Sequence, residues 1–254
     1  MLVDSHCHLN YLDDPAQRLE AARAVGVGRF LCISVDQEHF GEVHSLAYEH
    51  SDVWASAGVH PDSTEPGMGF AWVESALQDD RVVGVGETGL DYSRLKQTDR
   101  VTREAQCRSF AEHLRLAGAY QLPAIVHTRA ASADTLACMR DAPETIGVMH
   151  CFTETWEVAE AALELGYYVS LSGIVTFKNA ENVRQVARQV PADRLLIETD
   201  CPWLAPVPHR GETNEPAFVR DTAVFLARLR GVPLDELAHQ TSANFLRLFS
   251  KIHS

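Results

Sequence analysis

Long apolar stretches are absent from this 254-residue sequence. Because a membrane-spanning helix needs about 20 consecutive apolar residues, no membrane partner is expected. The first residues, MLVDSHCH, lack the basic and apolar regions of a signal peptide. None of the six cysteines forms a C-x-x-C pair, and their spacing gives no disulfide framework. We therefore expect free thiols and a cytoplasmic protein.

Positive charge is also scarce. Lys and Arg number 22 against 35 Asp and Glu, which gives a formal net charge of −13. An acidic chain repels polyanions at long range, and this excludes a tight binder that neutralises many phosphates. Local action on a phosphate ester stays compatible with the charge if cations in a site reverse the field there. No feature of the sequence indicates an obligate protein partner.

Short apolar runs alternate with segments of helical period along the whole chain. Eight runs are rich in Val, Ile and Leu, as strands buried on both faces should be. They are Leu2–Ser5, Arg29–Val35, Val53–Val59, Val82–Glu87, Ala124–His127, Gly147–His150, Tyr167–Ser172 and Leu195–Thr199. Eight strands separated by helices predict an α/β fold, a distorted TIM (β/α)8 barrel formed by one domain over residues 1–254. An open parallel sheet is the alternative, but the first run is not followed by G-x-G-x-x-G or a P-loop.

Helical patterns fill the spaces between these runs. Capping residues and helix-ending Gly or Pro mark several boundaries. The predicted helices are Pro15–Val25, Thr98–Ala119, Thr155–Leu165, Ala180–Val190, Glu215–Leu229 and Leu234–Phe249. The last of these is an extra C-terminal helix beyond the eighth strand.

Polar side chains stand where the apolar runs end. In a parallel barrel these ends converge on one face, where active sites are built. Side chains two apart on a strand point the same way, so His6 and His8 can share one metal ion. The full set is His6, His8, His60, Glu87, His127, His150 and Asp200. Even without His60, the four imidazoles and two carboxylates are more ligands than one divalent ion takes. The set therefore predicts two ions bridged by a carboxylate, and Glu87 is the candidate bridge.

Each of these residues also has a simpler interpretation that involves no metal ion. A single His at a strand end is usually a hydrogen-bonded polar residue, and only the joint occurrence of the set favours a metal site. Asp4 is expected to support His6 and His8 from behind. Cys7, Cys151 and Cys201 are interpreted as packing residues. Histidines within predicted helices, including His113, are expected to be solvated.

The ordered motifs resemble those of the TatD-type metal-dependent deoxyribonucleases, a branch of the amidohydrolase-like TIM barrels. The match extends over essentially the whole chain, and the sequence looks close to bacterial members described as metal-dependent hydrolases. Its motifs are DSHCHL at 4–9, GVHP at 58–61, GETGLDY at 86–92, HTR at 127–129, HCF at 150–152, SGIVTFKNA at 172–180, ETDCPWLAP at 198–206 and NEP at 214–216.

The resemblance implies a ligand set. One metal would be held by His6, His8, Glu87 and Asp200, and the other by Glu87, His127 and His150. It also implies that His60 contacts the substrate phosphate. Two positions depart from the family pattern: Ala130 stands where an acidic residue is common, and Thr213 where a basic residue is common.

The predicted activity is hydrolysis of phosphodiester bonds at a DNA strand end. Two divalent cations (Mg, Zn or Mn) would activate a water, which Asp200 orients or deprotonates, for in-line attack at phosphorus. Glu87, Asp200 and His60 are the predicted catalytic residues. His60, Arg129 and Arg210 would bind phosphate oxygens. The low positive charge favours a footprint of one or two nucleotides of single-stranded DNA.

Two other functions stay open. The same ions would polarise a carbonyl, so an amidohydrolase-type ester or amide hydrolase, for example of aminoacyl esters, is the main alternative. A non-catalytic protein with a structural zinc is less consistent with a ligand set larger than one closed tetrahedron. Phe152, Phe177 and Trp203 are candidates either for stacking on a base or for packing within loops.

Overall fold

Eight parallel strands form the centre of the molecule. The computed structural model describes residues 1–96 and 98–252. The strands pair in sequential order and are β1 Leu2–Cys7, β2 Val27–Cys32, β3 Val53–Ala57, β4 Val82–Asp91, β5 Ala124–Arg129, β6 Gly147–Met149, β7 Tyr168–Leu171 and β8 Leu195–Ile197. This order, with helices between the strands, confirms the predicted TIM-type barrel.

Helices surround the strands. They are α1 Pro15–Ala24, α2 Gln37–Glu49, α3 Ala71–Ala76, α4 Arg100–Tyr120, α5 Ser132–Arg140, α6 Trp156–Glu164, α7 Glu181–Gln189, α8 Val219–Arg230 and α9 Leu234–Leu248. Helices α2, α3 and α5 are not among those predicted from the sequence. The reason is a weak apolar pattern, since α2 buries only Val43 and Ala47, and α3 only Val73 and Ala76.

The barrel is nearly closed between β8 and β1, and buried side chains contribute to the closure. The Asp4 carboxylate accepts hydrogen bonds from the Thr199 backbone N–H (2.8 Å) and from Thr199 Oγ1 (2.6 Å). Ser5 Oγ donates to the Ile197 carbonyl at 2.9 Å. The backbone adds a bond from Asp200 N–H to the His6 carbonyl at 2.9 Å. Strand ends that carry site residues are thereby fixed to each other.

Helix α9 closes one end of the barrel. Its Phe245 and Leu248 pack with the apolar side chains that fill the barrel interior, among them Val3 and Ile125. Asn244 Nδ2 donates to the carbonyl of Leu195, the first residue of β8. Burial of each large apolar side chain contributes about 1.5–3 kcal/mol. Because α9 covers the amino ends of the strands, the carboxyl ends remain for a site.

Within the part of the chain that the structure describes, no helix combines the length and the hydropathy that crossing a bilayer requires.

Candidate metal centre

A cavity of about 540 Å³ opens at the carboxyl ends of the strands. Its walls include residues that follow β1, β3, β6 and β8, and residues within β4 and β5. Seven of the predicted site residues line it, namely His8, His60, Glu87, His127, Arg129, His150 and Asp200. The convergence of these strand ends on one cavity is what the barrel topology predicts.

Four ligand atoms face one another on the β1 side of this cavity. The Nε2 atoms of His6 and His8 lie 3.2 Å apart. Glu87 Oε2 is 3.4 Å from His6 Nε2 and 3.8 Å from His8 Nε2. Asp200 Oδ1 is 3.7 Å and 3.5 Å from the same two nitrogens. We call this group of four atoms subsite 1.

The spacing of subsite 1 fits a metal ion. Donor atoms about 2.0–2.1 Å from one ion, at tetrahedral angles, lie about 3.3 Å from each other. Nδ1 of His6 and Nδ1 of His8 are buried and have no hydrogen-bond partner within residues 1–96 and 98–252. Two buried imidazoles that turn their Nε2 atoms toward each other gain little as a hydrogen-bonded pair. A shared cation accounts for the arrangement.

A second group of ligand atoms lies on the other side of Glu87. Glu87 Oε1 is 3.1 Å from His127 Nδ1 and 2.8 Å from His150 Nε2. The two nitrogens are 3.3 Å apart. We call these three atoms subsite 2. Three protein donors with an open side are typical of catalytic rather than structural metal sites. The two oxygens of one carboxylate thus face two ligand groups, which is the geometry of a bridging ligand.

Local backbone geometry positions Glu87. Gly86 has a φ of +147°, and a Cβ built there would lie 2.6 Å from the Ile125 carbonyl oxygen, so only glycine fits. Burial raises the pKa of the Glu87 carboxyl, but the imidazoles of His150 and His60 outweigh burial and hold that pKa well below its usual range. The carboxyl is therefore ionised, as a ligand must be.

Two further carboxylates contact the imidazoles of subsite 2. Asp91 Oδ2 is 3.2 Å from His127 Nε2. Glu198 Oε1 is 3.4 Å from His150 Nδ1 and accepts the Cys151 backbone N–H at 2.7 Å. The Asp91 carboxylate is therefore in position to orient the His127 ring, whereas His150 Nδ1 makes no hydrogen bond within the described residues. Neither carboxylate is assigned from the sequence, although Asp91 lies four residues after Glu87 and Glu198 two before Asp200, the same-face spacing that identifies His6 and His8.

His60 and Arg129 stand beside subsite 2. His60 Nε2 is 3.5 Å from Glu87 Oε1, while His60 Nδ1 accepts the Asp62 backbone N–H at 3.1 Å. In the neutral ring the proton is therefore on Nε2, which makes this atom a hydrogen-bond donor toward the cavity. Arg129, two residues beyond His127, also lines the cavity. Both locations agree with the predicted contacts to substrate oxygens.

Arg210 lies elsewhere. Its guanidinium stacks over the Phe177 ring at 3.7 Å from the centroid and donates to the Ala205 carbonyl at 2.9 Å. It is not among the residues that line the cavity. The structure thus gives no direct support for Arg210 as a phosphate ligand, and that role stays a prediction.

Three other expectations need correction. Asp4 contacts Thr199 rather than the rings of His6 and His8. His113 is fully buried, and its Nε2 accepts the Val59 backbone N–H at 3.1 Å, so it is not solvated. Cys151 lines the cavity instead of packing in the core, while burial raises the pKa of its thiol well above the ordinary value, which disfavours a nucleophilic role.

Position 130, where an acidic residue is common in the family pattern, carries Ala130. Ala130 adopts a φ of +53° directly after β5 and offers no carboxylate. Asp91, at the end of the neighbouring strand β4, contacts His127. The absence of an acidic residue at position 130 therefore does not leave His127 without a carboxylate partner.

The fold and this site define the class as metal-dependent hydrolases built on a TIM-type barrel. The family model described as TatD related DNase matches residues 3–250, and the chain belongs to that family. The chain is 45% identical to the uncharacterized metal-dependent hydrolase YcfH of Escherichia coli strain K12, over 98% of this chain and 95% of that protein. It is 37% identical to the uncharacterized metal-dependent hydrolase YabD of Bacillus subtilis, over 98% and 99%. The crystal structure of YjjV, a TatD homologue from E. coli K12, superposes with a TM-score of 0.90 at 30% identity, covering 98% of both chains.

Proposed function

We propose that this metal-dependent hydrolase is a deoxyribonuclease that removes nucleotides from a strand end with two divalent cations. The observation that carries the proposal is the carboxylate of Glu87, whose two oxygens each face a separate group of ligand atoms. Paired sites of this kind are used for in-line displacement at phosphorus. Family membership, under the description TatD related DNase, supports the same substrate class.

The proposed ligands follow from the two groups of atoms. His6, His8, Asp200 and Glu87 would hold one ion, and Glu87, His127 and His150 the other. Divalent ions held there would supply Lewis acidity, which polarises a phosphoryl oxygen and acidifies water. Imidazole-rich donors suit Zn better than Mg, which prefers oxygen ligands.

The chain's own groups have distinct proposed roles. Asp200 lines the cavity within subsite 1, where its carboxylate orients the attacking water and accepts its proton. His60 donates from Nε2 to a non-bridging phosphate oxygen. Arg129 supplies the positive charge at the cavity wall and binds a second oxygen with paired donors.

A strand end is the proposed point of cleavage. The chain carries a net charge of −13, so it cannot follow a long polyanion by neutralising its phosphates. A cavity of about 540 Å³ holds a ligand of small-molecule size. Both facts favour a footprint of one or two nucleotides.

The free state of all six cysteines supports a cytoplasmic location.

The test is digestion of single-stranded DNA labelled at its 5′ end or its 3′ end, with Mg, Mn or Zn added to metal-depleted protein. A ladder that shortens one nucleotide at a time from one end is expected. Internal fragments from the first minutes would contradict the strand-end proposal. The chelator-treated protein serves as the control.

Hydrolysis of a carbonyl substrate is the second candidate. Apolar side chains of Val35, Ile174 and Leu204 line the same cavity and would accommodate an acyl group. A panel of esters, amides and aminoacyl esters, assayed with the same metal-loaded sample, separates the two candidates. Turnover of the panel without any cleavage of DNA would favour the carbonyl substrate.

A further inference from the structure

Two exposed aromatic side chains line the cavity. Tyr11 is 37% exposed and Trp203 is 51% exposed. The other large apolar side chains that are exposed in the described part of the chain lie away from the cavity. Phe152 is only 2% exposed, and Arg210 stacks over Phe177. Of the three aromatic residues identified as stacking candidates from the sequence, Trp203 alone presents an open ring to the cavity.

The exposed rings form a continuous group with a ligand of subsite 1. The ring centroids of His8 and Trp203 are 5.2 Å apart, those of Tyr11 and Trp203 5.8 Å, and those of His8 and Tyr11 5.9 Å. A 3₁₀ turn over Leu9–Tyr11 follows β1. Because residues three apart eclipse in such a turn, Tyr11 lies over His8. We call Tyr11 and Trp203 the aromatic shelf.

The shelf is held in place by the segment that carries Asp200. The Trp203 backbone N–H donates to the Asp200 carbonyl at 3.1 Å. The buried Asn214 side chain donates to the Trp203 carbonyl at 2.5 Å and to the Thr199 carbonyl at 2.8 Å. A backbone fixed in this way reduces the ordering entropy that ligand binding would cost.

The shelf and the polar donors flank different subsites. The shelf contacts His8, a subsite 1 residue, whereas His60 contacts His127 of subsite 2, with ring centroids 4.7 Å apart. Arg129 follows His127 by two residues. A ligand that spans the cavity therefore meets flat apolar rings beside subsite 1 and hydrogen-bond donors beside subsite 2.

We propose that the aromatic shelf binds the unpaired base of the terminal nucleotide by stacking, next to the phosphodiester at the metal centre. This inference rests on the proposed nuclease function and specifies its substrate. Stacking requires no positive charge and accepts every base, since each has a π-face. It suits an acidic chain that gains little attraction from phosphates.

The base must be unpaired. Within a duplex both faces of a base are covered by its neighbours, so the shelf can reach only a base at a frayed or single-stranded end. The cavity has the size of a small-molecule site and admits one nucleotide rather than a helix. The shelf thus selects single-stranded ends over internal positions of duplex DNA.

The test compares two chromogenic phosphodiesters in the metal-loaded protein. One is thymidine 5′-(4-nitrophenyl) phosphate, which carries a base, and the other is methyl 4-nitrophenyl phosphate, which does not. The selectivity is the ratio of their kcat/KM values. Trp203→Ala should lower this ratio about 5- to 150-fold, the range that stacking of one base provides. Most of the change should appear in KM of the base-bearing ester.

Control variants separate stacking from structural damage. Trp203→Phe keeps a flat ring and should retain the ratio within a few-fold. Tyr48→Ala removes an aromatic side chain that is 59% exposed but lies away from the cavity, and the ratio should not change. An unchanged ratio in Trp203→Ala would overturn the proposal, as would equal loss with both esters.

Binding gives a second readout that does not depend on turnover. Calorimetric titration of the metal-loaded protein with thymidine 5′-monophosphate should show weaker binding by Trp203→Ala and near-normal binding by Trp203→Phe. If neither ester is hydrolysed, the nuclease function fails, whereas the titration still decides the shelf. Equal binding by the wild-type protein and Trp203→Ala would overturn the shelf even if both esters are hydrolysed.

Discussion

Subsite 1 and subsite 2 share Glu87 but are built differently. Subsite 1 has three further donors, and the Nδ1 atoms of its two imidazoles have no hydrogen-bond partner within the described chain. Subsite 2 has only two further donors, but a carboxylate lies near the outer nitrogen of each imidazole. Asp91 is hydrogen-bonded to His127, while Glu198 Oε1 lies 3.4 Å from His150 Nδ1, which makes no hydrogen bond within the described chain. One subsite is thus defined by the number of donors and the other by their orientation.

This difference indicates how the two subsites can have unequal affinity for a metal ion. More donors hold an ion more tightly, so subsite 1 should bind the first ion. Subsite 2 has open positions toward the cavity, where His60 and Arg129 stand, and it is suited to contact substrate. Asp91 increases the basicity and fixes the direction of the His127 imidazole, which partly compensates for the smaller donor set.

The largest effect is expected from Glu87→Ala, which removes a donor from both subsites. Subsite 1 retains three donors, enough for one ion, but subsite 2 retains two. Metal analysis should fall from two ions per chain to one. The activity should fall by at least about 1,000-fold, since each lost 1.36 kcal/mol of transition-state stabilisation costs tenfold and an ion contributes several.

Circular dichroism and thermal unfolding of Glu87→Ala provide the control for folding. Retention of two ions per chain in the folded variant would contradict the bridging assignment. Loss of both ions would instead contradict the inequality between the subsites.

A smaller effect is expected from Asp91→Asn. The substitution keeps the shape of the side chain but removes the charge next to His127 Nε2. Affinity for the second ion should fall about 10- to 100-fold, the usual cost of losing a partner behind a metal-ligating histidine. Titration with Mn²⁺, followed calorimetrically and by electron paramagnetic resonance, would distinguish the first ion from the second.

Asp134→Asn is the matched control for Asp91→Asn. Asp134 accepts a hydrogen bond from the Tyr92 hydroxyl at 2.9 Å and is not among the metal-centre residues. The affinities for the first and for the second ion should therefore both stay unchanged. If Asp91→Asn weakens the first ion as much as the second, the comparison between the subsites is wrong.

Sequence periodicity could predict the barrel and most of the candidate ligand positions. Strands buried on both faces leave long apolar runs, and the ends of those runs mark the catalytic face, which is how His127 and His150 are found. The predicted extra helix α9 is also observed. Its position under the barrel depends on tertiary contacts, which the periodicity of the sequence does not predict.

Contacts between distant segments were less accessible to sequence reasoning. Tyr11 follows a ligand by three residues, but its exposure to the cavity depends on a 3₁₀ turn. His113 is buried because its ring nitrogen accepts a hydrogen bond from the loop before His60, a partner 54 residues away. Arg210 carries the expected charge for a phosphate ligand, but the neighbouring Phe177 ring determines where the guanidinium lies.

The smallest effect is expected from a change in the hydrogen bonds between Asp4 and Thr199. These bonds join the strand ends that carry the residues of subsite 1. Thr199→Val removes the hydroxyl that donates to the buried Asp4 carboxylate, so the free energy of unfolding should fall by about 1–3 kcal/mol. Urea unfolding of metal-free protein measures this change. Thr222→Val is the matched control, because the buried Thr222 hydroxyl has no hydrogen-bond partner among residues 1–96 and 98–252 and its loss should be nearly neutral. Equal destabilisation by the two variants would mean that the Asp4–Thr199 contact does not specifically stabilise the junction of β8 and β1. Subsite 1 would then depend on its donor atoms alone.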